Sequence, residues 1–335
     1  MRYGIISGMT WGLDTVVLGI ALAMGAFAGA PEASMASAFL HDAACALVML
    51  IYMGVRGRLR HTLSALKTRS GKAVMGAAVL GGPLGMSGYL IAINNIGPGY
   101  TAIISSFYPA VGTVLAFVFL KERMKPGQVV ALLAALAGVM LMGWTSTTIE
   151  GNAWLGIIGA LMCMIGWGSE AVILAWGMRD DAVDNETALQ IRETTSALTY
   201  ALIVAPLFGV LKFSGQVLFT PATAVIALAG LAGTISYLFY YKAIDTIGAA
   251  RGMALNVSYS AWAVVFGLLL MGTVPGPVTI ICCVVVLVGT VLAATSDWNE
   301  LRFGRKSRGG GSAGQDAPVD AAAAKAVAEA VARDE

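Results

Sequence analysis

Ten stretches of the chain are almost wholly apolar, and each is long enough to be a helix across a membrane. They fall at about 3–28, 33–55, 72–93, 99–120, 126–145, 152–178, 187–211, 221–243, 250–272 and 276–295. A helix needs roughly 20 apolar residues to cross the hydrocarbon core. Most connections are short, so neighbouring helices are expected to run antiparallel. The predicted fold is an all-α membrane protein of ten transmembrane helices.

Composition excludes a soluble alternative. Of 335 residues, 58% are apolar and only 12% are Asp, Glu, Lys or Arg. Soluble domains average about 45–50% and about 25%. Forty-one glycines without a three-residue repeat exclude collagen. The net charge of +2 gives no reason to expect nucleic acid as a partner. Cys45, Cys163, Cys282 and Cys283 all lie inside apolar runs and form no ligand pair with a nearby His, so neither disulfides nor a metal are expected. Arg2 is the only early positive charge, and no small-residue cleavage pattern follows, so no cleaved secretory signal is expected.

The distribution of charge orients the helices. Segment 56–72 holds Arg56, Arg58, Arg60, Lys67, Arg69 and Lys72, and the turn after the fourth span holds Lys121, Arg123 and Lys125. Nineteen of the 21 Lys and Arg residues fall on one side; Lys212 is on the other, and Arg192 lies within a span. The positive-inside rule then puts both termini in the cytoplasm, with the plasma membrane as the expected location. Beyond residue 297 the composition changes to Gly309-Gly310-Gly311-Ser312 and an Ala-rich end, which predicts a disordered tail over 297–335.

The chain also repeats itself. Ala92-Ile93 and Ile96-Gly97 match Ala243-Ile244 and Ile247-Gly248 at an offset of 151, and Tyr89, Tyr108 and Pro126 match Tyr240, Tyr259 and Pro277 at the same offset. His41-Asp42 meets Arg192-Glu193, and Trp11-Gly12-Leu13-Asp14 meets Trp167-Gly168-Ser169-Glu170 at 156. Two five-helix units follow, over 1–146 and 147–296. An odd number of spans per unit inverts the second relative to the first, an arrangement that places substrate near the midplane and permits alternating access.

Charges inside a membrane are costly and need a partner or a watery cavity. Asp14, His41, Asp42, Glu170, Arg192 and Glu193 all sit in spans. Trp11 and Asp14 are three apart, as are Trp167 and Glu170, which puts each ring and carboxylate on one helix face. Indole faces beside a carboxylate suit a bulky organic cation, because the ring quadrupole attracts it without any hydrogen bond. Asn256, Tyr259 and Trp262 form a stripe of one-turn steps, and Tyr108, Tyr237 and Tyr240 add phenols. The competing reading makes the Trp residues packing groups, with the acids paired to Arg192 or His41. Trp144, Trp154, Trp298 and Tyr241 lie near span ends and fit an interfacial aromatic belt. Gly81-Gly82-Pro83, Gly85 and Gly88 loosen the third span for close packing or a cavity-lining break. Asp14, His41, Asp42, Arg192 and Glu193 form either a packing network or the site of a coupled proton or sodium ion.

Phe119-Leu-Lys-Glu-Arg-Met-Lys-Pro126, followed by Gly127 and Gly138, resembles the EamA-type drug/metabolite transporters. His41-Asp42, Gly82-Pro83-Leu84-Gly85-Met86, Trp167-Gly168-Ser169-Glu170, Ile191-Arg192 and Leu255-Asn256-Val257-Ser258-Tyr259 with Trp262 are similar to choline permeases of the LicB type. The resemblance spans roughly 4–295. It implies a secondary transporter for choline or a similar quaternary ammonium, with uptake the expected direction. A metabolite or drug exporter of the same superfamily is the alternative, and a membrane scaffold or sensor fits the buried acids less well. Met271-Gly272-Thr273 departs from the first unit's Leu120-Lys121-Glu122. The chain has no His-Glu-x-x-His, no Gly-x-Ser-x-Gly and no phosphate loop, so neither enzyme chemistry nor a cofactor is expected.

The topology has a direct check. A cysteine replacing Ser64 is expected to react with a membrane-impermeant thiol reagent only from the cytoplasmic side. Labelling from outside intact cells would overturn the orientation.

Overall fold

The computed structural model describes residues 1–144 and 151–295, which are helical throughout apart from turns and short connections. The segment 297–335 and Trp298 lie outside them. Helix α1 is Arg2–Leu22, α2 Ala33–Val55 and α3 the short Leu59–Ala65. Next come α4, Arg69–Val79, a π-helical turn over Leu80–Met86, and α5, Ser87–Ser105. The first part closes with α6, Tyr108–Leu115, and α7, Pro126–Trp144. The second part has α8, Ala153–Gly177, α9, Asn185–Thr199, the three-residue α10, Ala205–Leu207, and α11, Leu211–Val217. It ends with α12, Pro221–Ile247, α13, Ala249–Asn256, α14, Tyr259–Met271, and α15, Pro277–Ala294.

Local chemistry sets these limits. Thr68, Asn152, Asp184 and Thr220 each cap the following helix, their side-chain oxygens accepting an N–H from Gly71, Leu155, Thr187 and Thr223. Pro126 and Pro277 start α7 and α15, where a missing N–H costs nothing. The outward faces stay apolar: Leu202 is 73% exposed and Phe119 69%. Such a surface is stable against lipid and not against water.

Among the described residues eight helices are long and apolar enough to cross a bilayer, or nine counting the pair Asn185–Leu207 and Leu211–Val217, which bends by 117°. The expected ten are reached only when the 37-residue Arg69–Ser105 is divided and its last part continued through Tyr108–Leu120. Gly97, at φ 75° and ψ 166°, provides that division. Gly248, 151 residues on, has φ 89° and ψ 162° and separates α12 from α13. Lys121 and Gly272, at the same offset, are both left-handed. The repeat in the sequence is therefore a repeat in backbone breaks.

Packing respects it too. Helix α1 lies along α12, while α8, its counterpart, lies along α5 and the π-helical turn. Counterparts α2 and α9 pack on each other, as do α7 and α15. At one end Arg56 and Arg58 bind Glu186, and Arg58 also binds Asp184. Nearby, the Ala182 N–H and the Ser70 hydroxyl donate to Asp180 and hold its carboxyl below the usual range. Glu122 accepts the N–H groups of Ala249 and Ala250 at 3.0 and 3.1 Å, so a carboxylate of the first half caps a helix of the second.

Gly248 occupies a backbone region open essentially to glycine alone, and a Cβ there would stand 2.9 Å from Glu122 Oε2. Gly248→Ala is expected to cost about 1–3 kcal/mol, read as a lower melting temperature in detergent.

Candidate functional site

The site begins with two close helix contacts. A Cβ on Gly12 would stand 2.9 Å from the carbonyl of Tyr259, and one on Gly168 would stand 2.8 Å from that of Tyr108. Only glycine lets α1 approach α14, and α8 approach α6, so closely. The second contact seats Tyr108 beside Trp167, one residue upstream of Gly168, and Trp11 is likewise one residue upstream of Gly12.

The result is a narrow aromatic cavity of about 30 Å³. Trp11, Tyr108, Trp167, Glu170, Tyr237, Tyr240, Asn256 and Tyr259 line it, together with Ser236. Trp167 meets Tyr108 edge to face at 5.7 Å, and Trp11 meets Tyr237 likewise at 5.2 Å. These eight come from the nine residues that the sequence singles out for substrate. Trp262 does not line the cavity. Helix α13 ends at Asn256 and α14 starts at Tyr259, and both of these residues reach the cavity across the break. Trp262 packs instead where α1 is bare, a Cβ on Gly12 falling 2.7 Å from its own Cβ, and its indole N–H is buried without a partner. Tyr241 is fully buried and meets Tyr237 edge to face at 5.9 Å, which removes it from the lipid belt. Trp144 and Trp154 are exposed.

Asn256 is held rather than free. Tyr108 donates its hydroxyl to Asn256 Oδ1 at 2.8 Å, and Asn256 Nδ2 donates to Ser7 at 2.9 Å. Ser236 donates to the Ser7 carbonyl at 2.9 Å. Neither serine stands out in the sequence, although Ser7 is four residues before Trp11, hence on its face. Tyr89, 5.5 Å from Trp167, completes the aromatic wall.

Behind the rings all six in-span charged residues join one network. His41 Nε2 is 3.0 Å from Asp14, and His41 Nδ1 is 3.5 Å from Asp42. Arg192 reaches Glu170 at 3.2 Å, Glu193 at 3.0 Å and Asp42 at 3.9 Å. Ser196, one turn after Arg192, donates to Asp42. Asp14–His41 and Glu170–Arg192 occupy matching positions in the two halves. Four carboxyl groups thus face one guanidinium and one imidazole, a surplus of acid at low dielectric. Arg192 also donates to the Tyr237 hydroxyl at 3.0 Å and lies 4.4 Å from the ring centroid. The π-helical turn supplies the room: its Gly81 carbonyl accepts the Trp167 N–H at 3.0 Å, and a Cβ on Gly81 would fall 1.8 Å from Glu170 Oε2.

A repeated bundle around an aromatic cavity, with lipid-compatible outer faces, defines a polytopic membrane transporter. The sequence profile of the EamA-like transporter family matches residues 2–144 and again 154–295, and the chain belongs to that family. Among individual proteins it is similar to Protein LicB of Haemophilus influenzae, with 31% identity over 219 residues, covering 64% of this chain and 73% of the relative. A crystallised protein shares the fold at a TM-score of 0.64 and 19% identity, over 87% of this chain and 95% of the other.

Gly81→Ala is expected to destabilise by about 1–3 kcal/mol through overpacking. Glu170→Ala is expected to relieve part of this in the double variant, because the two changes act on one contact. Additive losses of melting temperature would show that the turn does not depend on Glu170.

Proposed function

We propose that the protein is a secondary transporter of a small organic cation, choline or a similar quaternary ammonium, taken up across the plasma membrane with both termini cytoplasmic. One observation carries this reading: a cavity walled by indole and phenol rings opens onto Glu170 and the surplus of buried carboxylates behind it. A quaternary ammonium has no N–H to donate, so ring faces and net negative charge are what can recognise it. The similarity to Protein LicB is consistent with this reading. The matched breaks at Gly97 and Gly248 support two inverted five-helix units that rock about the cavity. The surplus of acid supports coupling to a proton or sodium ion through Asp14, His41, Asp42, Arg192 and Glu193. Arg192 beside Glu170 also favours a second reading, an exporter of a zwitterionic metabolite whose carboxylate would meet the guanidinium.

Counterflow in proteoliposomes separates the two. Labelled choline is expected to exchange with choline and not with its uncharged carbon isostere. Exchange with a zwitterionic amino acid in place of choline would favour the second reading, and exchange with neither would sink the first. Trp167→Leu is expected to weaken choline by about 1–2 kcal/mol, roughly 5–30-fold, while Trp167→Phe keeps part of the affinity. Equal affinities for both variants at equal melting temperature would return Trp167 to packing.

A further inference from the structure

One ring of the cavity wall that would receive a substrate cation, Tyr237, already carries one. Arg192 lies 4.4 Å from the Tyr237 centroid, donates to its hydroxyl at 3.0 Å and to Glu170 at 3.2 Å. Tyr237 and Glu170 both line the cavity. The other partners of the guanidinium, Glu193 at 3.0 Å and Asp42 at 3.9 Å, do not. Arg192 is thus divided between a cavity-side pair and a pair of carboxylates behind it. One acceptor on the far side is unused: Glu193 Oε1 is buried, on a side chain with no exposure, and has no hydrogen-bond partner. Because Oε2 of the same carboxylate already holds Arg192, reaching Oε1 needs only a short shift.

We infer that Arg192 is a tethered competitor for the substrate cation. Binding requires the guanidinium to give up Glu170 and the Tyr237 ring and to close on Glu193 and Asp42. Glu170 then exchanges one cation for another, and its charge is never left unpaired in the low-dielectric interior. A neutral molecule of the same shape could not drive the exchange. The cost of moving Arg192 lowers apparent affinity by the fraction of molecules in which the site is free. This rests on the organic-cation reading and adds the device that sets its affinity and selectivity.

Choline titrated calorimetrically into the purified full-length protein tests it. Tyr237→Phe keeps the ring and removes the hydroxyl that holds Arg192, so it should tighten choline a few-fold. Arg192→Gln should tighten it about tenfold, corresponding to a site free in about a tenth of molecules. Glu193→Gln should weaken it relative to wild type, because the guanidinium loses the charge of its landing place. Unchanged or weaker binding by Tyr237→Phe would overturn the inference and make Arg192 a positioning group for Glu170. Should Arg192→Gln not fold, Tyr237→Phe and Glu193→Gln decide alone. If wild type binds and the order of variants is reversed, only the tethered cation fails. If neither wild type nor any variant binds choline, the cation reading fails and the inference with it.

Discussion

Everything near the centre of this protein is arranged around one buried guanidinium. Arg192 has a side chain 5% exposed and three carboxylates within 4.0 Å. A buried ion pair gives little net stability when intact, but removing one member strands the others at a cost of about 3–5 kcal/mol. The arginine therefore fixes geometry more than it adds stability. It ties α9 to α2 through Asp42, to α8 through Glu170 and to α12 through Tyr237, so helices of both halves meet at one side chain. Its forked donors can serve several acceptors at once, which a lysine ammonium on the same stem could not do with fixed directions.

Most of the fold is legible in the sequence because lipid imposes a simple code. Long apolar runs become helices, prolines start α7 and α15, and the Ile-Gly pairs at 96–97 and 247–248 mark the breaks. The π-helical turns and the pauses after Ser105 and Asn256 are not legible, because apolar side chains serve equally in α, π and kinked backbone. Trp262 shares α14 with Tyr259, but its side chain is taken up at the close approach of α1 over Gly12, a contact between distant parts of the chain that spacing does not show.

The site divides along similar lines. Aromatic and charged residues are conspicuous in an apolar chain, and pairing Trp11 with Asp14 and Trp167 with Glu170 finds both walls of the cavity. The pattern does not reveal which partner each acid takes, since contacts between Asp42 and Arg192 span 150 positions. Ser7, Ser196 and Ser236 stay hidden for another reason: serines in membrane helices usually satisfy themselves on their own backbone. Only their four-residue spacing from Trp11 and Arg192, or adjacency to Tyr237, marks them.

The cap that Glu122 places on α13 has a consequence for the energetics of motion. Two halves of identical sequence would make the same bonds at both sets of breaks. This chain departs from that equality at one turn. Any movement that parts the Lys121–Lys125 turn from Gly248 gives up two hydrogen bonds to a carboxylate at once. The corresponding turn of the second half has Gly272-Thr273, with no carboxylate, and the helix start equivalent to Ala249 is Pro98, which has no N–H to offer. The backbone repeats its breaks at a constant offset, but the bonds made across them are unequal, and the inequality is set by a side chain about 70 positions from Arg192.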